Sequence, residues 1–326
     1  MTRAQSRHAR AVPAILGSAL AIAVAVGSIL IYLRPSPAAP AAAAPADAAS
    51  THAAHSGPAR PARPVRPARR LRPDPLGGRA TSFLATRGGT VQAAVYDMGT
   101  RQTWTVGHGP PQAEASIVKL DILETVLAQR GRDGRGLFGQ EGSLARLMIE
   151  ESDNSAATDL WNAAGGARGI GSFNRAARLT RTSPSPCVVC SGFPWPGWGL
   201  TTTTPADQIS LLRQVAEQGR LLSAADRGYA VQLMEDVTPD QRWGVSGGVG
   251  PRATVALKDG WLPLNDAGTD WQVNSIGWIS GGGRDYLVAV LTTGNPTEQY
   301  GIDTIGRLSA IIWKSMGGRL SRRSGR

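Results

Sequence analysis

Residues 116–129, SIVKLDILETVLAQ, carry apolar side chains at Leu120, Ile122, Leu123, Val126 and Leu127, the spacing of a helix. Ser116 and Lys119 stand three apart at its start, and residues three apart share a helix face. Lys119 therefore lies one turn from Ser116, within reach of its hydroxyl. A serine is a weak nucleophile until a base takes its proton. A helix N-terminus favours the negative charge that develops in the process. The chain has four histidines (His8, His52, His55, His108), and only His108 lies in its middle, eight residues before Ser116. A desolvated, neutral lysine is thus the base the sequence offers. Taken alone, Ser-x-x-Lys also describes an ordinary surface helix start.

Two further motifs follow. Ser152-Asp153-Asn154 sits at a junction between helices. All three residue types make good N-caps. As chemistry, Ser152 can relay a proton to a leaving group and Asn154 can hydrogen-bond a substrate amide. Lys258-Asp259-Gly260 ends a strand-like run. It reads as a strand-to-turn transition, or as a lysine charge for a substrate carboxylate with a glycine that lets substrate lie on the strand edge. The backbone N–H groups of Ser116 and Trp261 can form an oxyanion hole.

Around these motifs, Val91–Tyr96 and Thr103–Val106 read as strands joined by Met98-Gly99-Thr100. Helices follow: one capped by Ser143 and running to Glu151, one from Asn154 to Gly165-Gly166, one over 168–179, and two capped by Thr204 and Ser223. Residues 180–204 hold too many Pro and Gly for regular structure. Strands are expected at Ala253–Leu257, Trp271–Ile279 and Tyr286–Thr292, with a closing helix over 299–316. The expected fold class is α/β (α+β): a five-stranded antiparallel sheet packed on terminal helices, with an inserted all-helical lobe and a cleft between the lobes.

The three motifs in this order resemble the serine β-lactamase and penicillin-binding-protein superfamily, in particular its class A β-lactamases. The resemblance covers about residues 81–316. It extends to Glu151–Ala157 followed by Gly165-Gly166, to Thr201–Pro205 leaving the long loop, and to Leu291-Thr292-Thr293-Gly294 as the last strand. It implies acyl-enzyme chemistry: Ser116 as nucleophile, Lys119 as base, Ser152 as relay, and Asn154, Lys258, Gly260 and Trp261 at the substrate. No cofactor and no metal are implied.

The departures bear on turnover. Class A enzymes carry a loop glutamate that activates the deacylating water, whereas residues 179–204 contain no Asp or Glu. General-base help is worth roughly 10²–10⁴-fold, so a long-lived acyl-enzyme is expected. The third motif has Asp259 where the family carries a hydroxyl, and its charge would repel a substrate carboxylate unless protonated or turned away. The interval from Ser116 to Ser152 is shorter than in class A, which implies a more open site. Cys187 and Cys190 flank Val188-Val189 in the long loop. Outside the membrane a disulfide is the default there, ahead of a redox or metal pair. Trp195 and Trp198 in the same loop are core residues, or one of them lines the cleft and stacks on substrate.

Net charge is +11, with 35 Lys plus Arg against 24 Asp plus Glu. Residues 1–80 hold 11 Arg and two Asp, and residues 318–326 hold four Arg, which leaves the middle slightly acidic. The basic excess therefore sits in the tails, and nucleic-acid binding is not expected. Residues 11–33 carry no charge and follow Arg3, Arg7 and Arg10. This reads as a transmembrane helix behind a cytoplasmic basic tail at 1–10, with the alternative of a cleaved signal peptide. No cysteine follows the run, which argues against a lipidated cysteine. Residues 34–79, rich in Pro, Ala and Arg, read as a disordered linker. Residues 80–316 are the expected catalytic domain and 317–326 a basic tail.

Three functional readings follow. The first is an extracytoplasmic, membrane-anchored serine hydrolase acting on β-lactams or D-Ala-D-Ala-type amides. The second is a penicillin-binding-protein-like D,D-peptidase or acyltransferase on peptidoglycan stem peptides. The third is a domain that binds wall peptide or β-lactam without turnover. A monomer is expected.

Overall fold

The computed structural model describes residues 71–132 and 136–317. The apolar run at 11–33, the basic tail before it, most of the linker and the end from 318 onward lie outside the described residues. Among the described residues no helix is long and apolar enough to cross a membrane.

The chain enters the fold earlier than the linker boundary at 79 suggests. Leu76 is buried in the core, Arg72 pairs with Asp97, and its guanidinium donates to the Met316 carbonyl at 2.6 Å. Two leucines, Leu71 and Leu76, among Pro, Gly and Arg gave the composition no sign of this. Helix α1 (Arg79–Leu84) follows, then the hairpin β1 (Thr90–Asp97) and β2 (Thr103–Val106). After the short β3 (Gln112–Ala113) come α2 (Val118–Arg132), α3 (Gly139–Glu150), α4 (Asn154–Ala163) and α5 (Gly166–Ala177). The long loop ends in β4 (Thr202–Thr203), which pairs with β3. Then come α6 (Pro205–Ala216), α7 (Ala224–Glu235), β5 (Ala253–Pro263), β6 (Trp271–Gly281), β7 (Arg284–Asn295) and α8 (Glu298–Met316).

The sheet is five-stranded and antiparallel throughout, in the order β2-β1-β7-β6-β5. Strands β1, β6 and β7 are buried at consecutive positions, so both faces are covered. Helix α8 packs on β6 and β7, and α6 packs on β7 and β1. The expected sheet with an inserted helical block is thus present.

Local signals explain several helix starts. Thr204 caps α6, with Pro205 in its first turn. Ser223 and Asp226 form a reciprocal capping box on α7. The cap assigned to Ser143 needs correction. Helix α3 begins four residues earlier, at Gly139, and the Ser143 hydroxyl donates back to the Gly139 carbonyl at 3.1 Å. A serine followed by apolar residues gives the same pattern at an N-cap and one turn inside a helix. Strand β5 is also longer than expected. Lys258-Asp259-Gly260 does not end it, because the strand continues to Pro263 in register with β6.

Helix α2 is buried from Val118 to Ala128, polar residues included. It packs against α3, α4, α5 and α7. Neither Glu124 oxygen has a hydrogen-bond partner among the described residues. Burial, with the nearby Asp121 charge, pushes the Glu124 carboxyl well above the ordinary range. A carboxyl that holds its proton more tightly when folded loses stability as pH rises above its unfolded value. Glu124→Met is therefore expected to stabilise the fold near neutral pH by about 1–3 kcal/mol. It should also flatten the fall in stability above the unfolded carboxylate range. Denaturant titration of both proteins at several pH values checks this.

Candidate active site

The segment from Glu114 to Ile117 is held against strand β5 and fastened from β6. Asn274 on β6 donates its side-chain amide to the Ala113 carbonyl at 2.8 Å and the Glu114 carbonyl at 2.9 Å. Its own oxygen accepts from the Gln272 amide at 2.7 Å. A short 3₁₀ turn, Ala115–Ile117, then leads into α2. Ala115 adopts a left-handed backbone, φ 51°, and so does Ser152, φ 57°. Such positions cost about 1–3 kcal/mol each and persist where surrounding contacts impose them. Both lie at the candidate nucleophile and relay.

Lys119 is the centre of the arrangement. Its Nζ lies 3.0 Å from Ser116 Oγ and 3.0 Å from Ser152 Oγ. It also contacts the Ser152 carbonyl at 2.6 Å and Asn154 Oδ1 at 2.8 Å. The last two are acceptors only. A neutral amine has two N–H groups, which match these two acceptors and leave its lone pair for a hydroxyl. The ionisation fits this count: burial pushes the Lys119 amine well below the ordinary lysine range, and the Lys258 charge pushes it further.

Lys258 is fully buried, and its Nζ sits 3.0 Å from Ser152 Oγ and 3.0 Å from the Asp259 carbonyl. Ser152 thus lies between two amines. Burial lowers Lys258, opposed by the Asp259 charge. Ser116, Lys119, Ser152 and Lys258 form one continuous hydrogen-bonded chain, so a proton taken from Ser116 has a path to Ser152.

Asp259 is turned away from the cleft. It is fully buried, and its carboxylate accepts the Trp243 backbone N–H at 3.0 Å on the far side of β5. Desolvation raises its carboxyl. It therefore anchors the segment around Trp243 and presents no carboxylate to the Ser116 cavity, whose lining does not include it.

Gly260 is likewise buried, and the reason for its identity is backbone contact. A Cβ there would stand 2.6 Å from Ser116 N and 2.7 Å from Ile117 N. Strand β5 approaches the backbone of Ser116, the candidate nucleophile, at this residue.

Ser116, Ser152, Asn154 and Trp261 line one cavity of about 350 Å³. Trp195 of the long loop lines it too and is 48% exposed. Trp198 is buried, donates its indole N–H to Thr158 Oγ1 at 3.0 Å, and has its ring centroid 5.1 Å from Lys119 Nζ. One of the loop's two tryptophans therefore lines the cavity and the other packs beside the lysine. No Asp or Glu hydrogen-bonds Lys119 among the described residues. A disulfide joins Cys187 and Cys190. His108 is exposed and lines a different cavity. Among the described residues no cluster of three or more His, Cys, Asp or Glu is arranged to hold a metal ion.

Asn274 escaped the sequence reading because a lone asparagine in a strand-like run carries no motif. Its two donated bonds tie the segment that leads into Ser116 to the sheet. Asn274→Ala is expected to destabilise the fold by about 1–3 kcal/mol, since it leaves the buried Glu114 carbonyl and the half-buried Ala113 carbonyl without this donor. It should slow acylation of Ser116 by more than it weakens ligand binding. Single-turnover rates measured alongside thermal unfolding separate the two effects.

Residues 141–316, more than half of the chain, match the family described as the beta-lactamase enzyme family. That match begins downstream of Ser116 and Lys119. Among curated proteins, "Putative lipoprotein LppW" of Mycobacterium tuberculosis and of Mycobacterium bovis is 26% identical over 219 residues, covering 65% of this chain. The chain spans 66% of the length of these relatives. Among solved structures, the TLA-1 extended spectrum beta-lactamase superposes with a TM-score of 0.64 at 16% identity, covering 73% of this chain and 96% of that one. A class A beta-lactamase from Bacteroides cellulosilyticus gives 0.62 at 17% identity, covering 72% and 95%. PBP-A gives 0.59 at 20% identity, covering 72% and 92%. These likenesses establish the fold, and family and fold together support a serine hydrolase-like function. The chain belongs to the beta-lactamase enzyme family.

Proposed function

We propose that this protein is an exported serine hydrolase that forms an acyl-enzyme on Ser116 with β-lactams or D-Ala-D-Ala-type amides and releases it slowly. The observation that carries the proposal is the buried Lys119 amine 3.0 Å from Ser116 Oγ, which burial pushes well below the ordinary lysine range. Lys119 takes the Ser116 proton as the oxygen attacks the carbonyl. The tetrahedral oxyanion is received by the backbone N–H groups of Ser116 and Trp261. The proton passes through Ser152 to the leaving nitrogen, and the Lys258 charge keeps Ser152 oriented. Asn154 holds the substrate amide. Collapse then yields the acyl-serine and the free amine.

Slow release is supported by the long loop. It brings an indole, Trp198, beside Lys119, and no carboxylate from residues 179–204 is available to activate water. This favours a second reading on the same chemistry: a penicillin-binding-protein-like D,D-peptidase or acyltransferase whose acceptor is another amine. Export and membrane attachment are supported by the apolar run at 11–33 and by the lipoprotein name of the LppW relatives.

The test is labelling of the full chain by a fluorescent penicillin, with Ser116→Ala as control. Three assays run beside it: nitrocefin turnover, D-alanine release from a peptide ending in D-Ala-D-Ala, and transfer of its acyl group to an added amine. The proposal expects labelling that Ser116→Ala abolishes, with nitrocefin turnover far slower than labelling. D-alanine release or amine transfer would select the second reading. Binding that survives Ser116→Ala with no covalent label would overturn both and leave a binding domain.

A further inference from the structure

The walls of the Ser116 cavity have a chemistry that the acyl-transfer machinery does not use. Besides the catalytic groups, Gln241 and Pro263, they consist of three tryptophans (Trp195, Trp261 and Trp271) and two glutamates (Glu151 and Glu298). No lysine or arginine lines the cavity. Among the described residues neither glutamate side chain makes a hydrogen bond or an ion pair, although both border a site whose neighbours are aromatic. Glu298 is the first residue of α8 and is partly buried. Glu151 follows α3 at the C-cap and precedes Ser152.

Two of the three tryptophans are held by side-chain contacts. The Trp271 indole donates to the Gly268 carbonyl at 2.8 Å. Trp261 packs on Trp243 with ring centroids 5.7 Å apart. A second cavity of about 300 Å³ shares Trp195, Pro263 and Trp271 with the first and adds Asp266, again without a basic residue. Across the two cavities the charged lining residues, apart from the catalytic groups, are therefore all acidic and stand among aromatic side chains. The two amines behind this wall are set back from it: Lys119 and Lys258 are both fully buried, and neither lines the cavity.

An indole face attracts a cation through its quadrupole, and a partly desolvated carboxylate beside it adds direct charge attraction. We infer that this wall is a binding site for an ammonium group, and that the substrates of Ser116 carry a positive charge that it receives. The substrate class rests on the acyl-enzyme reading above, whereas the ammonium site itself does not.

The test is ligand-detected NMR titration of the full chain in the wild type and in Ser116→Ala. The ligands are choline, n-butylammonium, and 3,3-dimethylbutan-1-ol as the uncharged isostere of choline. At least one ammonium ion is expected to bind about ten-fold or more tightly than the alcohol, as cation–π attraction between aromatic walls implies. The preference should persist in Ser116→Ala, disappear in the double variant Glu151→Gln with Glu298→Gln, and shrink in Trp195→Ala. Tighter binding of choline would assign the site to quaternary ammonium groups, and tighter binding of n-butylammonium to primary amines; either supports the inference. Equal binding of the alcohol, binding of neither cation, or a preference that survives the double Gln variant would overturn it. These readouts need no turnover. Failure of Ser116 to acylate would remove the functional reading and leave the ammonium site standing, and the reverse outcome is equally distinguishable.

Discussion

Lys119→Met is expected to slow acylation of Ser116 by about 10³-fold, within the range measured for loss of a general base, while leaving the fold intact. The side chain is fully buried, and methionine has nearly its length without the cost of burying an amine. Unfolding temperature should hold steady or rise. The same lysine sets the pH dependence. Burial and Lys258 hold its amine well below the ordinary lysine range, so the folded protein binds fewer protons at this group than the unfolded chain does. The acylation rate should therefore climb with pH as Lys119 loses its proton and level off before the usual lysine range is reached. The lysine's contribution to stability should rise with pH over the interval between its folded and unfolded values. Stopped-flow acylation rates across pH, with the Met variant as baseline, check both statements. An acylation rate within ten-fold of wild type, or a profile unchanged in Lys119→Met, would assign the base elsewhere.

Gly260→Ala is expected to damage the site through the backbone. The added methyl would meet Ser116 N at 2.6 Å, Ile117 N at 2.7 Å and the Glu114 carbonyl at 3.1 Å. All three are main-chain atoms of the segment that Asn274 fastens from the next strand. None can rotate away, so β5 and the nucleophile turn must separate. Overpacking of this kind costs about 1–3 kcal/mol. The separation also moves the Ser116 N–H relative to Trp261, and loss of one oxyanion donor lowers rates by roughly 10²–10³-fold. Acylation kinetics with thermal unfolding at one pH read both quantities. A variant with wild-type acylation would show that the close approach of β5 has no part in catalysis.

Much of this was legible in the sequence because short motifs report short-range geometry. Ser116 and Lys119 three apart, and Asp153 before Asn154, dictate a helix turn and an N-cap. Asp153 Oδ1 indeed accepts the Ala156 N–H at 2.7 Å. The antiparallel sheet followed from β-rich runs separated by turn residues. The missing pieces depend on partners distant in the chain. Lys258-Asp259-Gly260 read as a strand end because two charges and a glycine interrupt an apolar run. In the structure they stay in the strand, each meeting a specific partner: Ser152 for Lys258, the Trp243 N–H for Asp259, and the Ser116 backbone for Gly260. The fate of the Asp259 carboxylate could not be read from alternation alone, since the partner that turns it away comes from a loop 16 residues upstream. Asn274 and the acidic aromatic wall carry no local pattern at all. They arise where β6, the long loop and the start of α8 meet.

The central claim is that Ser116, activated by Lys119, forms an acyl-enzyme that outlives its formation. It is tested most directly by intact mass of the full chain over time after mixing with p-nitrophenyl acetate, a small donor with no charge of its own. The account predicts one added acetyl group, mapped to Ser116, absent from Ser116→Ala, and persisting long after the burst of p-nitrophenolate. No adduct, an adduct retained by Ser116→Ala, or one that decays as fast as it forms would contradict it.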